Sequence, residues 1–300
     1  MTTGVTMTDS AMADLSGRTV GFIGLGLMGR PMARALAKAG ASLVIHSRSP
    51  GPVEELAQEG MSPAASPAEV AQRADTVILM LSDTVAVQTV AAALADALRP
   101  GLLVIDMGTT AVEATRQLAE AARAKGAEWV DAPVSGGTVA AEAASLTIMA
   151  GGTEEAYARA LPLFQAMGRR ITHVGGSGAG QVAKMANQVI VALSIGAVAE
   201  ALALARAAGV DPARVRDAIR GGFAESRILD LHGQRMVTGD FTPGGRVVTQ
   251  IKDLKQAEEL AEQSGIQLPA LGLSLELFEM LADQGDGGLD HAALYRLFVR

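Results

Sequence analysis

Residues 24–29 read Gly-Leu-Gly-Leu-Met-Gly, the spacing G-x-G-x-x-G. The run directly follows a β-rich stretch, Arg18–Ile23, and opens a helical period over Leu27–Ala39 that stops at Gly40. In that setting the three glycines serve a tight turn, room for a pyrophosphate, and close helix–strand contact. The start of the helix adds free N–H groups and partial positive charge. Gly24, Leu25, Gly26, Leu27, Met28 and Gly29 are therefore the expected phosphate cradle of a dinucleotide. A second strand, Ser42–His46, ends in Ser47-Arg48-Ser49. An acidic residue there would hold ribose hydroxyls; a guanidinium between two hydroxyls suits a 2′-phosphate instead. This favours NADP(H), with NAD(H) left open.

Two further stretches carry chemistry. Asp131-Ala132-Pro133-Val134-Ser135-Gly136-Gly137 follows a predicted strand, where ligands of open sheets collect. Ser135, Gly136 and Gly137 can turn a hydroxyl and successive N–H groups toward one point, a nest for a carboxylate; a plain glycine turn is the alternative. Lys184 stands one turn into a long apolar helix, just after Gly178-Ala179-Gly180. A lysine in an apolar stretch is costly unless it is paired, employed, or reaches back to solvent. Asn187 and Gln188, at i+3 and i+4, share its face. One ammonium and two amides can orient a carbonyl and protonate its oxygen, and desolvation makes a lysine a competent acid–base group.

The elements that position these residues alternate. Thr76–Leu81 and Leu102–Asp106 are apolar strands, and Trp129–Asp131 and Leu146–Ala150 are further ones. Helical periods over 52–59, 67–73, 85–98 and 112–125 separate them. Strand–helix alternation with continuously apolar strands predicts an α/β fold with a doubly covered parallel sheet. After Gly175 the pattern changes to a helix over about 181–208, apolar on nearly every side and so expected to be buried between domains or subunits. Residues 212–300 show helical periods and no convincing strand. The expected organisation is a disordered tail over 1–17, a dinucleotide-binding domain over 18–178, and an all-α domain over 179–300 that begins with the long interdomain helix.

Composition bounds the function. The chain has 300 residues, 49% of them hydrophobic, enough for a sizeable core. Lys and Arg number 25 against 32 Asp and Glu, a net charge of −7, which argues against nucleic acid as a partner. There are 0 cysteines, so disulfides, thiol catalysis and cysteine-held metals are excluded, and with 4 histidines no metal site is expected. No continuous apolar run reaches the roughly 18–20 residues of a membrane span, and residues 1–17 carry neither a secretory nor a mitochondrial pattern. A cytoplasmic protein without membrane partners is expected.

Taken together, GFIGLGLMGRPMA (21–33), DAPVSGGTVAAEAASLTIMAGG (131–152), GSGAGQVAKMANQ (176–188) and IKDL (251–254) resemble the β-hydroxyacid dehydrogenases, the relatives of 3-hydroxyisobutyrate and 6-phosphogluconate dehydrogenase. The resemblance covers about residues 18–298. It implies a Rossmann-type domain, a long interdomain helix, an all-helical domain, and pairing into a homodimer or homotetramer. It also implies Lys184 as catalytic acid–base, Ser135, Gly136 and Gly137 on a small carboxylate substrate, and Leu81, Ser82, Thr109 and Lys252 near the cofactor, with Asp253 beside Lys252. The runs at 184–210, AIRGG (218–222) and LDHAAL (289–294) are similar to the tartronate semialdehyde reductase branch. That branch reduces a small 3-oxo acid to a hydroxy acid, glycerate; 3-hydroxyisobutyrate oxidation and a non-catalytic dinucleotide-binding regulator are the alternatives. Gly245 stands where relatives often carry an aromatic residue, so an open wall is expected there.

Overall fold

A computed structural model describes residues 13–299. They form two compact units, one ending at Lys184 and one starting at Met185. The first unit alternates strands and helices in chain order. These are β1 (Thr19–Ile23), α1 (Gly29–Lys38), β2 (Ser42–His46), α2 (Pro50–Gln58), β3 (Ser62–Pro63), α3 (Pro67–Arg73), β4 (Thr76–Leu79), α4 (Thr84–Leu94), β5 (Leu103–Asp106), α5 (Val112–Ala124) and β6 (Glu128–Asp131). Then follow β7 (Val134–Ser135), α6 (Gly137–Glu142), β8 (Leu146–Gly151), α7 (Glu154–Met167) and β9 (Gly168–Gly175).

The strands lie in the order β3-β2-β1-β4-β5-β6-β8-β7, with β9 on β8. Pairs from β3 through β6 are parallel, and β8 meets β6 and β7 antiparallel. The order reverses between β1 and β4, which opens a crevice beyond their carboxyl ends. Alternate side chains serve opposite faces. Phe22, Ile45, Ile78, Ile105 and Val130 join one core with Leu36 of α1 and Phe164 of α7. Ile23, Val44, Val77, Val104 and Trp129 join another with Val70 of α3 and Val87 of α4. Both faces are covered, so the central positions of β1, β2, β4, β5 and β6 are apolar, as the sequence predicts, and polar residues stand at strand ends.

The tail expected over 1–17 needs correction at its inner end. Residues 1–12 lie outside the described residues. Leu15 is fully buried in the first core, and its N–H donates to Ala39 O at 2.8 Å. It is the one large apolar side chain between Ala13 and Gly17, and it covers the end of α1.

The long helix, α8 (Ala179–Ala207), starts in the first unit and continues into the second. The second unit adds α9 (Pro212–Ile219), α10 (Arg227–Thr238), α11 (Val247–Gln263) and α12 (Pro269–Leu281). Ile195, Leu202, Leu254, Phe278 and Leu294 centre its core. Two features of α8 add to the sequence reading. It is long and apolar enough to cross a membrane by length and composition, although Asn187, Gln188 and Ser194 interrupt every continuous apolar run. A buried core helix of a globular protein passes the same test, yet only about a third of its most apolar window is buried, with Ile190 67% and Leu204 72% exposed.

Candidate active site

The glycine loop has the geometry that turn, cradle and close contact require. Gly24 sits at φ +102°, and a Cβ there would fall 2.3 Å from Met80 O. At Gly29 a Cβ would lie 1.9 Å from Gly24 O, so only glycine lets α1 start against the loop. At Gly26 a Cβ would meet nothing within 4 Å. The middle glycine therefore opens onto space, as a pyrophosphate cradle must. No side chain caps α1 and its first turn holds no acidic residue; Arg30 N already donates to Gly26 O at 3.2 Å and Pro31 carries no N–H, so an anion would be met by the loop amides that precede Arg30. Leu25 is buried and Leu27 exposed; their backbone, not their side chains, forms the loop.

At the end of β2, Ser47 Oγ accepts a long hydrogen bond from Leu25 N at 3.4 Å, which ties this turn to the glycine loop. Arg48 is exposed and makes no ion pair among the described residues. Ser49 precedes α2 with no side-chain capping bond. The neighbouring Arg30 is committed to Glu55 at 2.8 Å, and Arg34 to Glu59 and Glu55, whose carboxylates push the Arg34 guanidinium's pKa above the ordinary arginine value. At the end of β4, Ser82 Oγ donates to Asp83 Oδ2 at 2.6 Å while Asp83 caps α4, and Leu81 O lies 2.9 Å from where a Cβ of Gly108 would stand.

The start of α8 is fastened to the carboxyl ends of β5 and β6 by a buried polar network that the sequence reading missed. Asp131 Oδ1 accepts from Gly178 N at 2.8 Å and its Oδ2 from Gln181 N at 3.0 Å. Burial pushes the Asp131 carboxyl up, opposed by these N–H groups and that of Gly180. A Cβ on Gly151 or Gly180 would collide with this carboxylate. The Gln181 side chain donates to Gly108 O at 3.0 Å and accepts from Thr110 N at 3.1 Å. Asp106 takes Gly108 N at 3.0 Å and Thr110 Oγ1 at 2.6 Å. Thr109 is thereby held between two fixed residues. The available signal was that strands β5 and β6 both end in aspartate, opposite one another in register. A carboxylate at the end of a buried strand is costly unless N–H donors meet it.

One turn beyond Gln181, Lys184 is 8% exposed, and its Nζ donates to Val134 O at 2.9 Å. Val134 is followed by Ser135, half-buried, then by Gly136 and Gly137 at φ +129° and +66°. The ammonium is thus bound to the backbone one residue before the predicted carboxylate nest. Lys184 thus lies beside the turn that carries Ser135, Gly136 and Gly137, residues that the family resemblance implies act together.

The remaining residues fall in the second unit. The Gln188 amide is consumed there: Nε2 donates to Asp253 and to Gln250 Oε1, and Oε1 accepts from Asn187 Nδ2 at 2.9 Å. Gln188 thus fixes the Asn187 side chain and packs α8 on α11. Lys252 Nζ pairs with Asp253 Oδ1 at 2.9 Å. The wall expected to be open at Gly245 is filled, since a Cβ there would meet the His291 ring at 3.2 Å. His232, Asp290 and His291 place potential metal-ligand atoms within 4.8 Å of one another. Arg235 lies 3.3 Å from Asp290 Oδ2, which also accepts from Gly244 and Gly245 N–H groups, so the cluster already holds its own cation. Burial would raise the Asp290 carboxyl, but His232, the His291 charge and those N–H groups override it and hold it well below the usual carboxylate range.

Residues 19–175 match the family described as the NAD binding domain of 6-phosphogluconate dehydrogenase. Residues 178–298 match the family described as NAD-binding of NADP-dependent 3-hydroxyisobutyrate dehydrogenase. The chain is 43% identical to 2-hydroxy-3-oxopropionate reductase of Escherichia coli over 92% of this chain and 95% of that protein. It is 36% identical to NAD-dependent L-serine dehydrogenase of Pseudomonas aeruginosa over 94% and 98%. Among solved structures, 3-hydroxyisobutyrate dehydrogenase of Mycobacterium tuberculosis with L-serine superposes with a TM-score of 0.86 at 31% identity, covering 93% of this chain and 98% of that one.

The loop geometry separates two substitutions. Gly26→Ala should keep the fold within about 1 kcal/mol yet weaken nicotinamide dinucleotide binding about tenfold or more, because the methyl occupies ligand space. Gly29→Ala should cost about 1–3 kcal/mol in urea unfolding, because the helix must move away from the loop. Asp290 gives a pH test. A depressed folded pKa adds stability above the unfolded value of about 4 and loses it as pH falls further. The urea midpoint of the second unit should therefore drop on acidification below about pH 4, and Asp290→Asn should flatten that dependence.

Proposed function

We propose that this chain, which belongs to the β-hydroxyacid dehydrogenase family of the 3-hydroxyisobutyrate dehydrogenase type, reduces a small 3-oxo acid such as tartronate semialdehyde to the hydroxy acid, with NADPH favoured. It is an oxidoreductase dependent on a nicotinamide dinucleotide, a group that the open space at Gly26 and the uncapped start of α1 suit. The reading is carried by one observation: a buried ammonium, Lys184, fixed to the backbone beside Ser135, Gly136 and Gly137.

Hydride transfer to or from a carbonyl carbon is the chemistry that a bound nicotinamide dinucleotide supplies. The Gly24–Gly29 backbone would hold its pyrophosphate. Ser135 and the Gly136 and Gly137 amides take the substrate carboxylate and fix which carbon faces the hydride. The Lys184 ammonium donates its proton to the carbonyl oxygen as negative charge develops there, so that one hydride and one proton convert the carbonyl to an alcohol. In the reverse direction the neutral amine accepts the proton of the alcohol. Asn187, at the next turn of the same helix, supplies a second donor on that face, and Gln188 orients it instead of touching substrate.

The 43% identity to 2-hydroxy-3-oxopropionate reductase supports tartronate semialdehyde as substrate. The likeness to the L-serine enzyme and to the L-serine-bound structure supports a second reading, oxidation of a 3-hydroxy acid such as L-serine or 3-hydroxyisobutyrate. Exposed Ile190, Leu204 and Phe223 suit a second copy of the chain, in keeping with a homo-oligomer.

Lys184→Ala should lower kcat about 10²–10⁴-fold at 340 nm while the NADPH Kd stays within about threefold. Turnover close to that of the unaltered enzyme would remove the lysine from the reaction. A panel of tartronate semialdehyde, methylmalonate semialdehyde, L-serine and 3-hydroxyisobutyrate assigns the substrate by kcat/KM. Arg48→Ala should raise KM for NADPH about tenfold and leave that for NADH nearly unchanged, since only the 2′-phosphate uses the guanidinium. Equal losses for both cofactors would overturn the NADPH preference.

A further inference from the structure

We infer that Asp131 is the positioning residue for Lys184, so that a carboxylate which touches no reactant sets the efficiency of proton transfer. The inference rests on Lys184 being the acid–base group. It starts from the short segment 131–134, which holds the first turns of α8 at two points. Asp131, at the end of β6, accepts Gly178 N and Gln181 N, one on each carboxylate oxygen. Three residues on, Val134 O accepts the Lys184 ammonium. Gln181 and Lys184 are themselves three residues apart and so follow each other on one helical face.

The carboxylate is fully buried and enclosed. Hypothetical Cβ atoms on Gly151 and Gly180 would lie 2.7 and 2.9 Å from its oxygens, so glycine at both positions leaves the space it occupies. Two acceptor oxygens on one rigid strand end fix the helix start in translation and in rotation about its axis. A single capping hydroxyl would fix one N–H and leave the rotation softer. A rotation of the helix start swings a long side chain in proportion to its reach, and the Lys184 Nζ is the far end of such a side chain. A misplacement of about 1 Å at a reacting group costs on the order of 10²-fold in rate. The positive end of the helix also favours the ionised carboxylate, against the neutral form that burial alone would select.

The test is Asp131→Asn, which keeps the shape but turns an N–H₂ against one of the two N–H donors. Concentrations are normalised to sites titrated by NADPH fluorescence, so that loss of folded protein does not count as loss of rate. We expect kcat per site to fall about 10-fold or more, the basic limb of its pH profile to move, and the NADPH Kd to stay within about threefold. A purely structural role would lower Tm and the number of titrated sites while leaving kcat per site and the pH limb in place, and that result overturns the inference. Asp131→Glu restores both acceptor oxygens one methylene further out and should recover part of the rate but not all. If Asp131→Asn does not fold, Asp131→Ser, with one acceptor and room for water, takes its place. Failure of both to fold would assign Asp131 to the fold and not to the lysine, which also overturns the inference. The Lys184→Ala assay stands apart: activity in that variant sinks the lysine mechanism, whereas an inactive Lys184→Ala with a fully active Asp131→Asn sinks this inference alone.

Discussion

A buried carboxylate that accepts the first amide hydrogens of a 29-residue helix is the constraint from which the chemistry of the first unit follows. Helix starts leave N–H groups unsatisfied, and burying them costs free energy unless an acceptor is present. Asp131 meets that need, and it does so from the end of β6, in register with Asp106 at the end of β5. Gln181 then ties the same helical turn to Gly108 and Thr110. The consequence is local: α8 leaves the sheet in a fixed direction and a fixed rotation. Lys184 reaches Val134 O because both ends of that short bridge are already held.

The two halves of the site in the first unit use opposite devices. The glycine loop works by what is absent. No side chain stands at Gly26, none can stand at Gly29, and no acidic or capping side chain stands at the start of α1. A diffuse phosphate charge needs only backbone donors and space. The carboxylate and carbonyl of a small substrate need a discrete cation at one place. On the proposed reading Lys184 is that cation; its charge is buried but bound, a costly arrangement unless every partner is in position. Hence the density of side-chain hydrogen bonds around residues 106–110, 131–135 and 178–184, where the glycine loop has, among the described residues, only the long bond from Leu25 N to Ser47 Oγ.

Much of this was legible in the amino-acid order. Periodicity located β1, β2, β4, β5, β6 and β8 because a doubly covered sheet makes them continuously apolar; it did not locate α7 or β9, the latter an eight-residue strand half exposed and carrying Arg169, Arg170 and His173. The glycine spacing and the lone lysine in an apolar helix located two parts of the site because each violates a local preference that only a ligand or a partner repays. Short elements were not legible: β7 and α6 are too brief for a period, and α6 opens at Gly137, which reads as a turn. The role of Gln188 was misassigned for a different reason. Its spacing from Lys184 is right, but its partners, Gln250 and Asp253, lie over 60 residues away, and only packing shows that they consume the amide. Asp131 was read only as the first letter of a motif, because a strand-end aspartate has no meaning until the helix that it receives is in place.

The decisive measurement is a crystal structure of the enzyme with an oxidised nicotinamide dinucleotide and a 3-hydroxy acid bound together. Lys184 Nζ is expected within about 3 Å of the substrate hydroxyl oxygen, with the carboxylate on Ser135, Gly136 and Gly137. A substrate bound with its hydroxyl facing another side chain, and the ammonium still closed on Val134 O, would contradict the lysine's role.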